Sequence, residues 1–212
     1  MSSYRLQKGL VRVFRIKVKD MCNADIIRQA GPWMMLLIMI AAGVVACAPG
    51  GAAIPDEGNI TLSLSSPALQ EGEDIPTDYT CDGQDMSPPL TWDEPPSETQ
   101  SFALIMDDLD APGGVFTHWV LFNIPADSRE LQEAVPAESQ LSSGALQGKN
   151  SFGKTGYGGP CPPAGNPHQY QFTLYALDQL LDLHMGASKN EVFNAMQGHI
   201  LGQGRLTATY QR

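Results

Sequence analysis

The chain has 212 residues, of which 42% are hydrophobic, 17% charged and 8% aromatic. That is globular material for about one domain plus extra sequence, and it excludes wholesale disorder and fibrous repeats. A net charge of −10 excludes a general nucleic-acid binder.

The charge is unevenly placed. Residues 1–47 hold seven Lys/Arg against two Asp/Glu, a surplus of +5, while residues 48–212 hold six against twenty-one, a balance of −15. A basic head before an acidic body is an address rather than part of a fold. Residues 32–46, PWMMLLIMIAAGVVA, carry no charge. The run is shorter than the roughly 20 apolar residues of a membrane-spanning helix and fits the apolar region of a secretory signal. It ends in Val44-Val45-Ala46-Cys47, which resembles the bacterial lipobox, where cleavage precedes a Cys that is then acylated. The expectation is a signal over 1–47 with lipidation at Cys47, a flexible Gly/Pro/Ala-rich tether over 48–59, and a domain over 60–212. Such a protein is exported and held at the cell envelope, on the periplasmic or surface side of a bacterial membrane. The alternative is an uncleaved or non-lipidated segment. The head is long for a signal, and Met21 is a second candidate start.

Strands dominate the body. Ile60 to Leu64 alternates apolar and polar with period 2. Residues 101–106 and 118–124 are short apolar runs bounded by Asp, Pro and Gly, as buried strands are. Residues 127–134 form a weak helix candidate. Tyr170, Phe172, Leu174 and Ala176 share one face of a further strand, and residues 206–210 close the chain with another. One helix is well marked: Ser188 as N-cap, Glu191 completing a capping box, then Val192, Ala195, Met196 and His199 at helical spacing, with Gly202 as its stop. The expected fold is an all-β, two-sheet sandwich with one or two short helices.

Four cysteines occur. Cys22 and Cys47 fall in the leading segment, leaving Cys81 and Cys161 in the body. An oxidising compartment permits a disulfide between them; the alternative is two small buried hydrophobes. Their spacing is not that of a zinc site.

Polar groups concentrate in three places: Asp107-Asp108-Leu109-Asp110 at the end of one run, His118 at the start of the next, and the Gly/Pro-rich stretch from Tyr157 to Tyr170. Period 2 puts His168 and Tyr170 on the inward face with Phe172. Two carboxylates, two imidazoles and a phenol converging at a sheet end, beside backbone N–H groups of a Gly/Pro loop, make a small pocket suited to an oxyanion. Each residue also has a plain structural reading. Asp108 and Asp110 can shape a turn, and Tyr170 can be core.

These residues stand in longer strings. They include Tyr79-Thr80-Cys81-Asp82-Gly83, Ser87-Pro88-Pro89-Leu90, Asp108-Leu109-Asp110-Ala111-Pro112, His118-Trp119-Val120, Gly159-Pro160-Cys161-Pro162-Pro163 and His168-Gln169-Tyr170. In this order they resemble the phosphatidylethanolamine-binding protein family, in its bacterial and archaeal Raf-kinase-inhibitor-like branch. The resemblance runs from about Ile60 to Tyr210. It implies a β-sandwich with an anion pocket for phosphate-like groups or phospholipid headgroups. The family's pocket residues fall on Asp108, Asp110, His118, Pro162, Pro163, His168 and Tyr170. Leu109 departs from the pattern, which has Pro there.

The reading that follows is a lipid-anchored binding protein with a small anionic or phosphorylated ligand. It has no catalytic residues, no cofactor and no nucleic-acid partner. The same side chains could ligate a divalent cation, but the resemblance implies anions, so no metal is expected. Two other readings stay open. One is a protease- or kinase-inhibitor-like regulator acting through protein contacts, with a protease as partner. The other is a phosphoester hydrolase with His118 or His168 as acid or base, though no nucleophile motif accompanies them. The resemblance also allows a homodimer.

Overall fold

The computed structural model describes residues 61–212. The signal segment, Cys47 and the tether lie outside the described residues.

Eight strands and one helix follow in order: β1 Leu64–Ser65, β2 Leu90–Trp92, β3 Ser101–Asp108, β4 Phe116–Pro125, β5 Glu130–Leu131, β6 Leu146–Gln147, β7 His168–Leu177, α1 Lys189–Met196 and β8 Ile200–Tyr210. They form two antiparallel sheets. The small one runs β1-β2-β5 and the large one β6-β4-β3-β7-β8. The fold is the expected two-sheet sandwich.

The large sheet is apolar on both faces, which is why its central strands read as continuous apolar runs. Its inner face packs Phe102, Leu104, Met106, Phe172 and Leu174 against Leu64, Leu90 and Trp92 of the small sheet. Its outer face packs Ala103, Ile105 and Tyr175 against Val192, Phe193 and Met196 of α1. Along β3 the faces alternate, so Asp107 and Asp108 at its end point to opposite sides.

Three local expectations fail. Of the strand expected from Ile60 to Leu64, only Leu64 is in β1, with Thr61 as an isolated bridge to Gln203. Residues 127–134 form no helix, because Leu131 pairs with Leu90 and Glu130 with Thr91 across the small sheet. Long-range pairing overrides a weak local preference there. The helix opens as expected, with the Ser188–Glu191 capping box formed, but it stops at Met196 rather than near Gly202. Gly198, at φ +77°, takes the left-handed conformation that ends it. Gly202 lies instead in β8, opposite Ala176, and His199 leaves the helix to pair its Nδ1 with Asp178 at 2.9 Å.

Candidate functional site

The site sits where β3, β4 and β7 end together. Asp108 closes β3 and is directly opposite Tyr170 of β7 and Phe116 of β4. His118 reaches the same place through an irregularity. Met106 pairs with Trp119 but Asp107 pairs with Thr117, so His118 is an extra residue in β4. Such a bulge turns a side chain that would alternate outward to the inner face. Trp119 is in the inner core, and the His118 ring stands edge-on to Tyr170 at 5.2 Å.

The Gly/Pro loop is fastened over this end. Gly158 N–H donates to the His118 carbonyl at 3.1 Å, and Gly159 N–H donates to Asp85 Oδ1 at 2.6 Å. Tyr157 Oη donates to the Tyr79 carbonyl at 2.6 Å. A side chain at 159 would meet that carbonyl oxygen at 2.6 Å, so only glycine fits this approach. Cys81 and Cys161 are joined by a disulfide with Cα atoms 5.4 Å apart, which pins the loop to the segment after the 3-10 turn Thr77–Tyr79.

Between loop and sheet lies a cavity of about 220 Å³, lined by Asp108, His118, His168, Pro162, Pro163 and Cys161, with Ala111, Pro112, Phe116 and Phe152 at its apolar side. His118 donates Nδ1–H to the Gly158 carbonyl at 2.6 Å, leaving Nε2 as the ring atom for a ligand. His168 Nδ1 is 2.8 Å from Asp108 Oδ2, which fixes that ring the same way. Tyr170 packs against both rings, fully buried and outside the cavity lining, with its hydroxyl close to the Asp108 carboxylate. Burial raises its pKa above the ordinary phenol value, and the nearby Asp108 charge adds to that, so the group remains an O–H donor.

Asp110 is placed differently. It is exposed and outside the cavity lining; its Oδ2 accepts from Gln169 N–H at 2.8 Å, and its own N–H donates to Asp108 Oδ1 at 2.9 Å. It ties the β3 end to β7. Leu109 has a role that Pro could not fill: its N–H donates to the Gln169 carbonyl at 2.9 Å.

Ala111 and Pro112 of the lining stand in a segment the sequence reading singled out without being named pocket residues, and two aromatic lining residues escaped it altogether. Phe116 precedes His118 by two residues, so period 2 could have found it. Phe152 comes from the turn between Lys149 and Thr155 and packs its ring 5.4 Å from His118; no periodic signal marks it.

Burial lowers the His118 pKa below its ordinary 6.5, against the opposing pull of the Gly158 carbonyl and the Asp108 and Asp107 charges. The folded state therefore favours neutral imidazole. The stability this contributes is present in full above pH 6.5 and is lost as the pH falls through the lowered value. Urea midpoints measured across that range should fall more steeply for the wild type than for His118→Asn. Parallel curves would show that His118 titrates as in the unfolded chain.

Comparison with known proteins gives one family. The model of the phosphatidylethanolamine-binding protein family matches residues 65–211. A "UPF0098 protein" of Methanothermobacter thermautotrophicus is 53% identical over 151 residues, covering 71% of this chain and 99% of the relative. A relative from Mycobacterium tuberculosis bearing a lipoprotein name, LppC, is 38% identical over 172 residues, covering 81% of this chain and 80% of its own. The crystal structure of E. coli YbcL matches with a TM-score of 0.67 and 34% identity, covering 71% of this chain and 98% of YbcL. On sequence and fold together, the chain belongs to the phosphatidylethanolamine-binding protein family.

Proposed function

We propose that this protein binds a phosphate-like or other anionic group, on a phospholipid headgroup or a phosphorylated ligand, in the cavity at the sheet end. The observation that carries the reading is a small cavity lined by two buried imidazoles, each with Nδ1 already engaged and Nε2 left for a ligand, beside the loop of Pro162 and Pro163. The lining holds no Lys or Arg, so the anion is reached through the imidazole Nε2 atoms, which donate once a ring takes up a proton with the ligand rather than as a fixed cation. That suits one singly charged group better than a polyanion. Binding without turnover is the reading because no nucleophile motif accompanies the two imidazoles in the sequence and the one sulfur of the lining, on Cys161, is in the disulfide.

The same proposal makes the chain an exported protein anchored through lipid on Cys47. The apolar run before Cys47 and the lipoprotein name of the mycobacterial relative support it. An anchor would hold the cavity near headgroups at high effective concentration.

Calorimetry tests the cavity. The full chain in detergent should bind inorganic phosphate and phosphoethanolamine, and His118→Ala should weaken both by roughly tenfold or more. No heat from either ligand at millimolar concentration would remove the anion reading and move the function to protein contacts.

A further inference from the structure

A second cleft opens on the outer face of the large sheet, on the opposite side of β3 from the cavity. Its volume is about 530 Å³, within the range of small-ligand and peptide sites. Asp107 forms its floor, with Oδ1 accepting from Thr117 Oγ1 at 2.8 Å and Oδ2 from Lys189 Nζ at 2.6 Å. Lys189 also lies 5.2 Å from the Phe193 ring centre. The walls come from β7, the start of α1 and the hairpin that carries Lys149, Asn150 and Ser151.

Charge singles this cleft out. The domain's only cations are Arg129, Lys149, Lys154, Lys189, Arg205 and Arg212. Among the described residues, Arg129 pairs with Glu94, Arg212 with Asp82 and Lys189 with Asp107, while Lys149, Lys154 and Arg205 have no carboxylate partner. Of these, Lys149 lines the cleft and Lys154 is on the same hairpin, while Arg205 is opposite Thr173 of the lining and itself lines a separate groove with Leu62 and Leu64. A strongly acidic body thus places an unpaired positive charge, on Lys149, in the lining of this cleft, with a second on the same hairpin.

We infer that this outer cleft is a docking site for an acidic peptide segment of a partner protein. The charge supplies the acidity. The lining supplies the peptide character, since Ser151, Gln171, Thr173 and Asn190 carry amides and hydroxyls of the kind that backbone groups pair with. Leu109 and Val115, 38% and 55% exposed, give an apolar side chain a place to sit. A sugar acid fits less well. The aromatic rings of the lining, Tyr175 and Phe193, are buried and present no face for stacking.

The test uses the full chain in detergent and a pool of fluorescent hexapeptides, each with two adjacent acidic residues and one apolar residue at varied positions. Fluorescence polarisation should find binders, and Lys149→Glu should weaken them by roughly tenfold. Lys149 is exposed, so this variant keeps the fold. Amide shifts on binding should appear at Val115, Ser151 and Thr173. The inference is overturned by a pool without binders, or by affinities that Lys149→Glu leaves unchanged. It is equally overturned by shifts centred on His118 and His168, which would place the peptide in the anion cavity. Equal binding by acetate or citrate would make the cleft a site for small carboxylates and dismiss the peptide.

Discussion

Replacing Cys81 and Cys161 together with Ala is expected to lower the unfolding free energy by about 2–4 kcal/mol, the largest stability loss a surface-reaching change should produce here. The bridge spans 80 residues, so it removes a long closed loop's worth of freedom from the unfolded chain. The native loop has other ties. Cys81 N–H donates to the Pro160 carbonyl, Gly159 N–H to Asp85, Tyr157 Oη to the Tyr79 carbonyl, and Arg212 pairs with Asp82. These should keep the cavity's shape once the bridge is gone. The double variant should therefore unfold at lower urea concentration while its phosphate affinity changes only severalfold. If affinity is lost while stability is kept, the bridge shapes the pocket rather than restraining the unfolded chain.

Much of this molecule is written locally, and the exceptions have a common cause. Strands β3, β4 and β7 could be read because each is a long run with a clear period or a clear apolar core, whereas only the last five residues of β8 were legible, its glycine-rich first half reading as the end of the helix. The inward face of β7 placed His168 and Tyr170 by counting alone. His118 could not be placed that way. Its direction depends on a bulge, and the bulge exists only in the pairing of β4 with β3. The same holds for residues 127–134, whose conformation is decided by β2, some forty residues earlier. Asp107 and Asp108 read as one acidic cluster in sequence, yet alternation sends them to two different sites. Phe152 entered the cavity from a turn, where side-chain direction follows no period.

Asp108→Ala is expected to abolish measurable phosphate binding and to cost about 2–4 kcal/mol of stability. The carboxylate is 4% exposed and serves two donors, His168 Nδ1 through Oδ2 and Asp110 N–H through Oδ1. Truncation strands both. His168 loses the group that orients its ring, and the turn at Leu109-Asp110 loses its inner anchor. Asp108→Asn separates charge from shape. The amide keeps the volume and one oxygen, but it can accept from only one of the two donors. It also removes a negative charge beside the bound anion. These effects oppose each other for inorganic phosphate, whose affinity should stay within roughly tenfold of wild type. Phosphoethanolamine carries an ammonium that gains from a nearby carboxylate, so it should weaken more than phosphate does. Calorimetry of both ligands against the three proteins reads that difference directly. Unchanged phosphate binding by Asp108→Ala would assign the anion to the imidazoles alone and leave Asp108 as a support for the turn.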